Sequence, residues 1–487
     1  MPDTSKIHAR IIVKIMGVFL MIIAFMMFLG LIFSFIYDEP DKQALSISGA
    51  ITFLSGLFLF LINRRVDYEA INKRDGFIIV SFTWVVISLF GTLPFLLSGT
   101  IDNFTDAFFE TMSGFTTTGA TVLTDIESVN KGILYWRSVT QWIGGMGVIV
   151  LALAIMPVLG IGGMQLFIAE VPGPTKDKLH PRITETAKRL WGIYVLLTLI
   201  QSILLYAGGL NIFESVCHSF TTMATGGFST RNASIAAFSP YIQYVTTVFM
   251  FLAGTSFVLH YYSLHLRFRK VWESEEFRSY FWITMLATVF IAVSLVITSD
   301  ATPGESFRVA VFQTVSIITT TGFITADYLV WQPFLWFLIF MLMFTGGCAG
   351  STGGGIKIVR QLLLFKNSRL EMRRLIHPKG IIPLRLNGRA IPEPIIYNVL
   401  AFFIIYILIF VFGSLFMSML GLDFETSIGS VASSLGNIGP GLGKVGPVDN
   451  YSFIPVAGKW ALALLMLLGR LELFTVLVLF SSSFWRR

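Results

Sequence analysis

The sequence predicts an all-α polytopic membrane protein with about ten transmembrane helices, and three observations support this fold class. First, 54% of the 487 residues are hydrophobic and only 13% are charged, with a mean hydropathy of +0.75. A soluble globular protein carries roughly 25% charged residues. Second, apolar runs close to the ~20 residues that span a bilayer recur along the whole chain. Third, one short motif occurs four times, each time between two such runs.

The apolar runs are the candidate transmembrane spans. The first is too long for a signal peptide and has no small-residue cleavage site, so we expect it to be retained as a helix. The eighth is interrupted by glycines. The runs cover residues 12–36, 44–63, 77–98, 134–158, 191–208, 242–264, 280–299, 334–363, 396–420 and 455–484.

The charges between the runs predict the orientation of the chain. Lysine and arginine cluster before the first run and after each even-numbered run, most densely in the segment from Lys357 to Arg389. Because basic residues favour the cytoplasmic side, both termini are predicted to be cytoplasmic. This inner basic collar largely explains the net charge of +7, so binding to nucleic acid is not expected. Cys217 and Cys348 fit no metal-binding or redox spacing.

The repeated motif reads FTTTGA at 115–120, MATGGF at 223–228, ITTTGF at 318–323 and LGNIGP at 435–440. One such segment would be an ordinary Thr/Gly-rich turn, but four in register predict a repeat of span, short helix, polar loop and span. Aligned on one shared glycine, each copy has small residues six and twelve positions earlier, which indicates a closely packed helix. The shared glycines are Gly119, Gly227, Gly322 and Gly439; the small residues are Ser113, Thr221, Ser316 and Ser433, and Ala107, Ser215, Ala310 and Ser427.

The repeats also predict the organisation of the chain. We expect four span–pore-helix–filter–span repeats around a pseudo-fourfold pore, plus two N-terminal helices. The expected segments are an N-terminal two-helix segment (1–70), repeat 1 (71–160), repeat 2 (185–270), repeat 3 (278–366) with a Gly-rich intramembrane loop (345–355), a cytoplasmic basic linker (367–392) and repeat 4 (393–487).

The backbone of the repeated loops is suited to binding a cation. Irregular backbone at membrane depth persists only where it is buried in protein or lines a water-filled cavity. Glycine permits dihedral angles that align successive carbonyl groups, and rings of such oxygens replace the hydration shell of an ion. The partly negative C-terminal end of each short helix would also face the centre. Acidic residues in the outer connections either concentrate cations there or are simply solvated: Asp102, Asp106, Asp125, Glu127, Asp300, Glu305 and Asp423.

Residues 345–357, TGGCAGSTGGGIK, interrupt the eighth run. They do not match a phosphate-binding loop, because no hydroxyl residue follows Lys357. Broken helices at membrane depth usually line a pathway, so we expect a flexible loop that obstructs the pore as a gate. Close helix packing through small residues is the alternative. The gate glycines would be Gly346, Gly347, Gly350, Gly353, Gly354 and Gly355.

Arg470 is a charged residue near the middle of the last run. A charge in a span is costly and normally faces a cavity or a partner. We expect Arg470 to lie in the pore and oppose resting cations; a salt bridge to another helix is the alternative. Glu472 is expected to contact another helix. Helix-interface contacts are also expected for Arg137, Gln141, His260 and His265.

These motifs resemble those of the Trk/Ktr/HKT superfamily of potassium transporters, and most closely its bacterial TrkH branch. The resemblance covers essentially the whole chain, including the four loops, the Gly-rich break and the C-terminal LLGRLELFTVLVLF. It implies a potassium filter centred on the four shared glycines, since plant relatives with serine at the first of them tend toward sodium. Loop 4 departs most from the pattern and is expected to be asymmetric. The implied filter residues are Thr116, Thr117, Thr118, Gly119, Ala224, Thr225, Gly226, Gly227, Thr319, Thr320, Thr321, Gly322, Gly436, Asn437, Ile438 and Gly439.

The resemblance also implies the surroundings of the protein. It implies a bacterial inner membrane location, a homodimer, gating by the Gly-rich loop, and a cytoplasmic regulatory partner of the TrkA nucleotide-binding type. The basic segment 357–389 is a plausible docking surface for that partner or for anionic lipid. No organic cofactor is expected in this chain.

The sequence motifs distinguish three classes of function. A channel-like potassium uptake protein, passive or with limited ion coupling, agrees with four loops in one orientation. An ion-coupled secondary transporter of a small solute is the alternative, although such folds often contain inverted repeats. A membrane-embedded enzyme is not expected, because the sequence has no HExxH motif and no cluster of acid, base and nucleophile.

Overall fold

The computed structural model describes residues 7–64, 73–147, 183–378, 380 and 382–486. Within these ranges the chain is mostly helical, as predicted. Part of the fourth apolar run and the basic connection after it lie outside the described residues. The helices in chain order are α1 (Ala9–Ile36), α2 (Lys42–Ile62), α3 (Lys73–Gly91), α4 (Leu93–Leu97), α5 (Phe104–Phe115), α6 (Lys131–Trp142), α7 (Ile183–Ala207), α8 (Ile212–Met223), α9 (Pro240–Ala253), α10 (Phe257–Leu264), α11 (Phe268–Glu273), α12 (Glu275–Thr298), α13 (Pro303–Ile318), α14 (Pro333–Met343), α15 (Ile358–Ile376), α16 (Glu393–Met419), α17 (Phe424–Gly436), α18 (Val456–Arg470), α19 (Phe474–Leu477) and α20 (Ser482–Trp485).

Helices α1 and α2 pack closely against each other at the N-terminal end of the chain. A Cβ atom added at Gly17 would lie 2.7 Å from the Gly56 carbonyl oxygen, and one at Gly56 would lie 2.7 Å from the Gly17 carbonyl oxygen. Small residues permit this approach in a membrane, where helix association depends on packing rather than on the hydrophobic effect. The two glycines therefore allow the backbones of α1 and α2 to approach closely.

The short helices α5, α8, α13 and α17 each precede one copy of the repeated motif. All four begin at a residue whose side-chain oxygen accepts a hydrogen bond from a first-turn amide, which satisfies a donor that the helix itself cannot pair. The small residues predicted six and twelve positions before the shared glycine are all buried. The capping residues are Asn103, Asn211, Thr302 and Asp423, with bond lengths of 2.8, 2.8, 3.4 and 2.9 Å.

The helices that follow the loops are interrupted or bent. Helices α9 and α10 meet at 106°, and α18 meets the segment Phe474–Phe480 at 110°. Residues 344–357 separate α14 from α15, and α6 continues into a π-helical turn at Ile143–Gly147. The apolar runs predicted at 242–264 and 455–484 therefore each contain a bend, which the sequence did not indicate because apolar composition continues across it. In the described part of the chain, six helices are long and apolar enough to span a membrane, or up to eight if each bent pair counts as one.

The basic linker contains a small antiparallel hairpin of β1 (Arg385–Leu386) and β2 (Arg389–Ala390). Asn387 and Gly388 connect the strands with φ values of 50° and 76°. Positive φ at both central residues is typical of the Asn-Gly type I′ turn. The Asn387 side chain accepts a hydrogen bond from the Glu275 amide at 2.8 Å, which attaches the linker to the start of α12.

Candidate functional site

The four copies of the motif form loop 1 (115–120), loop 2 (223–228), loop 3 (318–323) and loop 4 (435–440), and positions are counted from the shared glycine as position 0. Position −2 has a left-handed backbone in every loop, with φ of 53° at Thr117, 54° at Thr225, 60° at Thr320 and 54° at Asn437. The amide at position −1 donates to the carbonyl oxygen at position −6 at 2.8–2.9 Å in all four. This six-to-one bond is a Schellman closure, so all four short helices end in the same way.

The shared glycines connect the four loops into a closed ring. Their φ values are 83°, 79°, 77° and 99°, a region that glycine enters without steric cost. A Cβ atom at any of them would also meet the carbonyl oxygen at position −1 of the next loop. The loops therefore contact one another in the order 1, 2, 3, 4 and back to 1. The contacting pairs are Gly119 with Gly226, Gly227 with Thr321, Gly322 with Ile438, and Gly439 with Thr118.

Threonine hydroxyls in loops 1 and 3 bond within their own loop. The hydroxyls of Thr116 and Thr319 donate to the carbonyl oxygen four residues earlier, at 2.6 and 2.7 Å. Each also lies 2.8 Å from the hydroxyl at position −1, that of Thr118 or Thr321. These side chains stabilise the loops, and the backbone carbonyls at position −1 are the groups that meet the neighbouring loop.

Loop 4 differs from the others because position −2 is Asn437. Asparagine is one of the few residues other than glycine that tolerate a left-handed backbone. Its Nδ2 atom donates to the Thr118 hydroxyl and to the Met466 carbonyl oxygen, both at 2.9 Å. Asn437 thus connects loop 4 both to loop 1 and to α18.

A buried ion pair connects α5, α6 and the segment that follows loop 1. Arg137 Nε lies 2.6 Å from Glu110 Oε1, and the two side chains are 2% and 0% exposed. Glu110 also accepts hydrogen bonds from the Thr121 hydroxyl at 3.0 Å and the Val122 amide at 2.9 Å. Arg137 donates in turn to the Ser229 carbonyl oxygen at 3.0 Å. The pair therefore fixes the segment after loop 1 against the segment after loop 2.

Several of the acidic residues in the connections on the loop side have structural partners. Asp423 caps α17, and the Thr426 amide that it binds lowers the pKa of its carboxyl group. The Asn232 side chain likewise lowers the pKa of Asp125. Asp106 lies 2.6 Å from Lys459 Nζ, and Glu305 completes a capping box at the start of α13. In contrast, Asp102 and Asp300 are exposed.

The Gly-rich segment lies against the ends of the short helices, on the side here called the inner side of the ring. The Thr352 hydroxyl donates to the Met223 carbonyl oxygen at 3.0 Å, at the end of α8. The Gly354 amide donates to the Thr320 hydroxyl at 2.7 Å. A Cβ atom at Gly354 would lie 2.6 Å from the Gly436 carbonyl oxygen. The segment therefore contacts the residues at or next to three of the four loops.

The rest of this segment packs into the bend between α9 and α10. The Cys348 amide donates to the Gly254 carbonyl oxygen at 2.8 Å, and the Phe257 amide donates to the Gly350 carbonyl oxygen at 3.0 Å. Positive φ occurs at Gly350 (75°) and Gly355 (64°). Four other predicted gate glycines lie close to backbone carbonyl oxygens at positions where a Cβ atom would crowd them: Gly346, Gly347, Gly353 and Gly354.

Arg470 is the last residue of α18 and lies at the bend that interrupts the last apolar run. The helix ends there because the chain turns at Glu472 and Leu473, which have φ values of 57° and 56°. Arg470 Nη1 donates to the Thr352 carbonyl oxygen at 2.7 Å. Nη2 donates to the carbonyl oxygens of Gly144 and Gly145 in the π-helical turn after α6. Arg470 thus joins the Gly-rich segment to the helix that follows loop 1.

Further charged and polar side chains surround Arg470 or the helix bends. Glu472 forms an ion pair with Arg360 of α15, which is a contact with another helix. Lys357 is 7% exposed and donates to the Gly353 carbonyl oxygen. His260 Nε2 lies 2.8 Å from the Leu252 carbonyl oxygen across the bend between α9 and α10. Among the residues that the structure describes, no group of three or more His, Cys, Asp or Glu could hold a metal ion.

Comparison with known proteins gives concordant matches in sequence and structure. Residues 41–487 match the model of the TrkH family, described as "Cation transport protein". The chain is 43% identical to the Trk system potassium uptake protein TrkH of Halomonas elongata over 98% of this chain and 99% of that protein. It is 42% identical to the protein of the same name from Escherichia coli K12, over 98% and 100%.

A solved structure shows the same architecture. The crystal structure of the potassium transporter TrkH from Vibrio parahaemolyticus superposes with a TM-score of 0.89 at 38% sequence identity. The match covers 99% of this chain and 100% of that one.

Proposed function

The chain belongs to the TrkH family of cation transport proteins, and on that premise we propose that it is a channel-like potassium uptake protein of the bacterial inner membrane. Its family is one of transport proteins and not of enzymes. Potassium is the transported ion, and it crosses the ring of loops passively or with limited coupling. The curated relatives and the solved relative carry potassium in their names, which supports this choice of ion.

The observation that carries the proposal is the closed ring of glycine and carbonyl contacts. Each loop places a carbonyl oxygen against the glycine of the preceding loop, and the order of contacts returns to its start. A ring of backbone carbonyl groups can replace water around a weakly hydrated cation. The ring is therefore the proposed selectivity filter. Its potassium-binding residues are Thr116–Gly119, Ala224–Gly227, Thr319–Gly322 and Gly436–Gly439.

The Gly-rich segment 345–355 and Arg470 form the proposed gate. The segment contacts the inner ends of α8 and α17 and the Thr320 hydroxyl, so ions leaving the filter would have to displace it. Arg470 places a guanidinium group beside the segment and donates to its backbone. A positive charge there opposes cations that enter the inner side of the filter.

A cytoplasmic regulatory subunit of the TrkA nucleotide-binding type is proposed to act on this gate. Helix α15 begins directly after the gate segment and ends in a basic turn with Arg373 and Arg374. A partner bound there could move the gate through a continuous helix. In this proposal both termini are cytoplasmic, and the protein assembles as a homodimer.

Ion selectivity in proteoliposomes tests the filter. Gly119→Ser and Gly439→Ser introduce a Cβ atom at positions with φ of 83° and 99° that face a neighbouring carbonyl. Both should reduce potassium-over-sodium selectivity in a series with potassium, rubidium, caesium and sodium. Gly99→Ser and Gly421→Ser are matched controls, because these glycines have φ of 67° and 90° but nothing within 4 Å of the added atom. Unchanged selectivity in both filter variants would refute the assignment.

A further inference from the structure

Loop 2 is unusual at position −1. The other loops carry Thr118, Thr321 or Ile438 there, whereas loop 2 carries Gly226. The backbone does not explain the difference, because Gly226 is not among the residues with positive φ. Steric crowding explains the glycine, because a Cβ atom at Gly226 would collide with the carboxamide group of Gln141. A side chain from another helix thus occupies the place that the side chain at position −1 would take.

Gln141 forms two hydrogen bonds that bracket the shared glycine of loop 2. It lies near the end of α6 and is 0% exposed. Its Nε2 atom donates to the Gly226 carbonyl oxygen at 2.7 Å, and its Oε1 atom accepts from the Phe228 amide at 3.1 Å. These partners determine the orientation of the carboxamide, because the opposite orientation would place a donor against a donor.

This hydrogen bond makes the ring of carbonyl oxygens unequal. In the part of the chain that the structure describes, the oxygen of Gly226 accepts a hydrogen bond, whereas those of Thr118, Thr321 and Ile438 accept none. The Gly226 oxygen also lies where a Cβ atom of Gly119 would be. One side-chain amide therefore holds the carbonyl group through which loop 2 meets loop 1.

We propose that Gln141 is a specificity-determining residue that positions the Gly226 carbonyl in the filter. The inference rests on the proposed filter function. The Gly226–Gly227 peptide has no side chain on either side, so its rotation is unusually easy. The donor at Gln141 restrains this rotation and keeps the oxygen at a defined place in the ring. Without it, the peptide turns more freely and the ring tolerates cations of other sizes.

The test compares variants of Gln141 in the full-length protein in proteoliposomes. Gln141→Leu and Gln141→Met both keep a similar volume and remove both hydrogen bonds. Both should lower the potassium-over-sodium permeability ratio by about fivefold to tenfold, the scale of one lost hydrogen bond. A purely structural role would change the amount of folded protein and leave this ratio unaltered.

A matched control is Gln243→Leu. Gln243 is also a buried glutamine whose Nε2 atom donates to a backbone carbonyl oxygen, that of Phe238 at 3.0 Å, outside the four loops. This variant should keep the parental ratio. A parental ratio in folded Gln141→Leu and Gln141→Met would overturn the inference.

A double variant covers the case in which the single variants do not fold. Gly226→Thr alone should collide with Gln141 and reduce folded protein. Combined with Gln141→Ala, it has space and gives loop 2 the threonine that loops 1 and 3 carry, without the hydrogen bond. The double variant should fold with a lowered ratio; a parental ratio would refute the role of Gln141.

The Gly119→Ser variant separates the two proposals. If Gly119→Ser lowers the ratio and the Gln141 variants do not, only the inference about Gln141 fails. If neither Gly119→Ser nor Gly439→Ser changes the ratio, the filter assignment fails first.

Discussion

Arg470 donates a hydrogen bond to the Thr352 carbonyl oxygen at 2.7 Å, although the two residues are 118 positions apart in the sequence. The Thr352 hydroxyl in turn donates to the end of α8. A charged side chain at the end of α18 is thus connected through one threonine to the helix that leads into loop 2. If the Gly-rich segment is the gate proposed above, its release breaks this connection, and the two members can be tested separately.

Arg470→Ala is expected to raise basal potassium flux about tenfold, which corresponds to ~1.4 kcal/mol of barrier. In the proposed gate, the change removes a positive charge beside the ion path and the hydrogen bond from Arg470 to the Thr352 carbonyl oxygen. Flux into potassium-free liposomes measures it. Arg470→Lys keeps the charge but not the planar set of donors, so its flux should lie between those of the parent and Arg470→Ala. Unaltered flux in Arg470→Ala would contradict the placement of this residue in the pathway.

Thr352→Val should also produce a leak, of about fivefold, because it preserves the side-chain shape and removes hydrogen bonds worth ~1 kcal/mol. The bonds lost are those to the Met223 and Ala253 carbonyl oxygens at 3.0 and 3.2 Å. Thr284→Val is the control, since Thr284 is equally buried but bonds within α12, to Tyr280 at 2.8 Å. Equal flux in the two variants would argue against a role of the Thr352 hydroxyl in holding the Gly-rich segment in place.

Gly354→Ala tests whether the gate segment closes the inner side of the filter. The added Cβ atom would lie 2.6 Å from the Gly436 carbonyl oxygen, so the segment must move away. Basal flux should rise about fivefold or more, because opening relieves at least one tight contact that costs about 1 kcal/mol. Gly192→Ala in α7 has no neighbour within 4 Å and should behave as the parent.

Shortening segment 345–355 is the more drastic form of the same experiment. It should leave a pore that is open even without a regulatory subunit. Loss of flux in a shortened protein that is well folded would show that the segment is required for conduction and does not obstruct it.

Glu110→Gln should destabilise the protein by about 3–5 kcal/mol, because it leaves the buried Arg137 guanidinium group without its counter-charge. Thermal unfolding in detergent measures the effect. Asp300→Asn, at an exposed carboxylate, should shift the midpoint little. Glu110→Gln combined with Arg137→Gln should cost less than the sum of the two single changes. Strict additivity would mean that the two side chains do not act as a pair.

The four shared glycines could be predicted from the sequence because each obeys the same constraint. Every one has a positive φ and lacks space for a Cβ atom, which favours glycine at Gly119, Gly227, Gly322 and Gly439. The short helices were predictable for a related reason, since their small residues recur at helical spacing. The same backbone requirement therefore appears in the sequence four times, which makes the motif recognisable.

The bends after α9 and α18 could not be predicted in this way. Apolar residues continue on both sides of each bend, and hydropathy averaged over a span does not register two or three residues with a different backbone. A glycine-rich stretch marks only the break between α14 and α15. The positive φ values at the bend after α18 occur at Glu472 and Leu473, which are not glycines, so these residue types do not indicate a bend.

The role of Gln141 was also missed, because its partners Gly226 and Phe228 are 85 and 87 positions away. The sequence predicted only a helix-interface contact. A signal was present in loop 2, where glycine replaces the threonine or isoleucine of the other loops. A missing side chain in one copy of a repeat indicates that another part of the chain has taken its place.

The closed ring of loops is built from one polypeptide, so each quarter of the ring is encoded separately. In a channel made of four identical subunits, one codon change alters all four quarters of the ring together. Here each quarter has its own codon, so a change reaches one oxygen and leaves three as they were. The residues at position −1 (Thr118, Gly226, Thr321 and Ile438) accordingly differ among the four loops. In the proposed filter, a single substitution therefore changes one quarter of the ring, which is not possible in a fourfold-symmetric assembly.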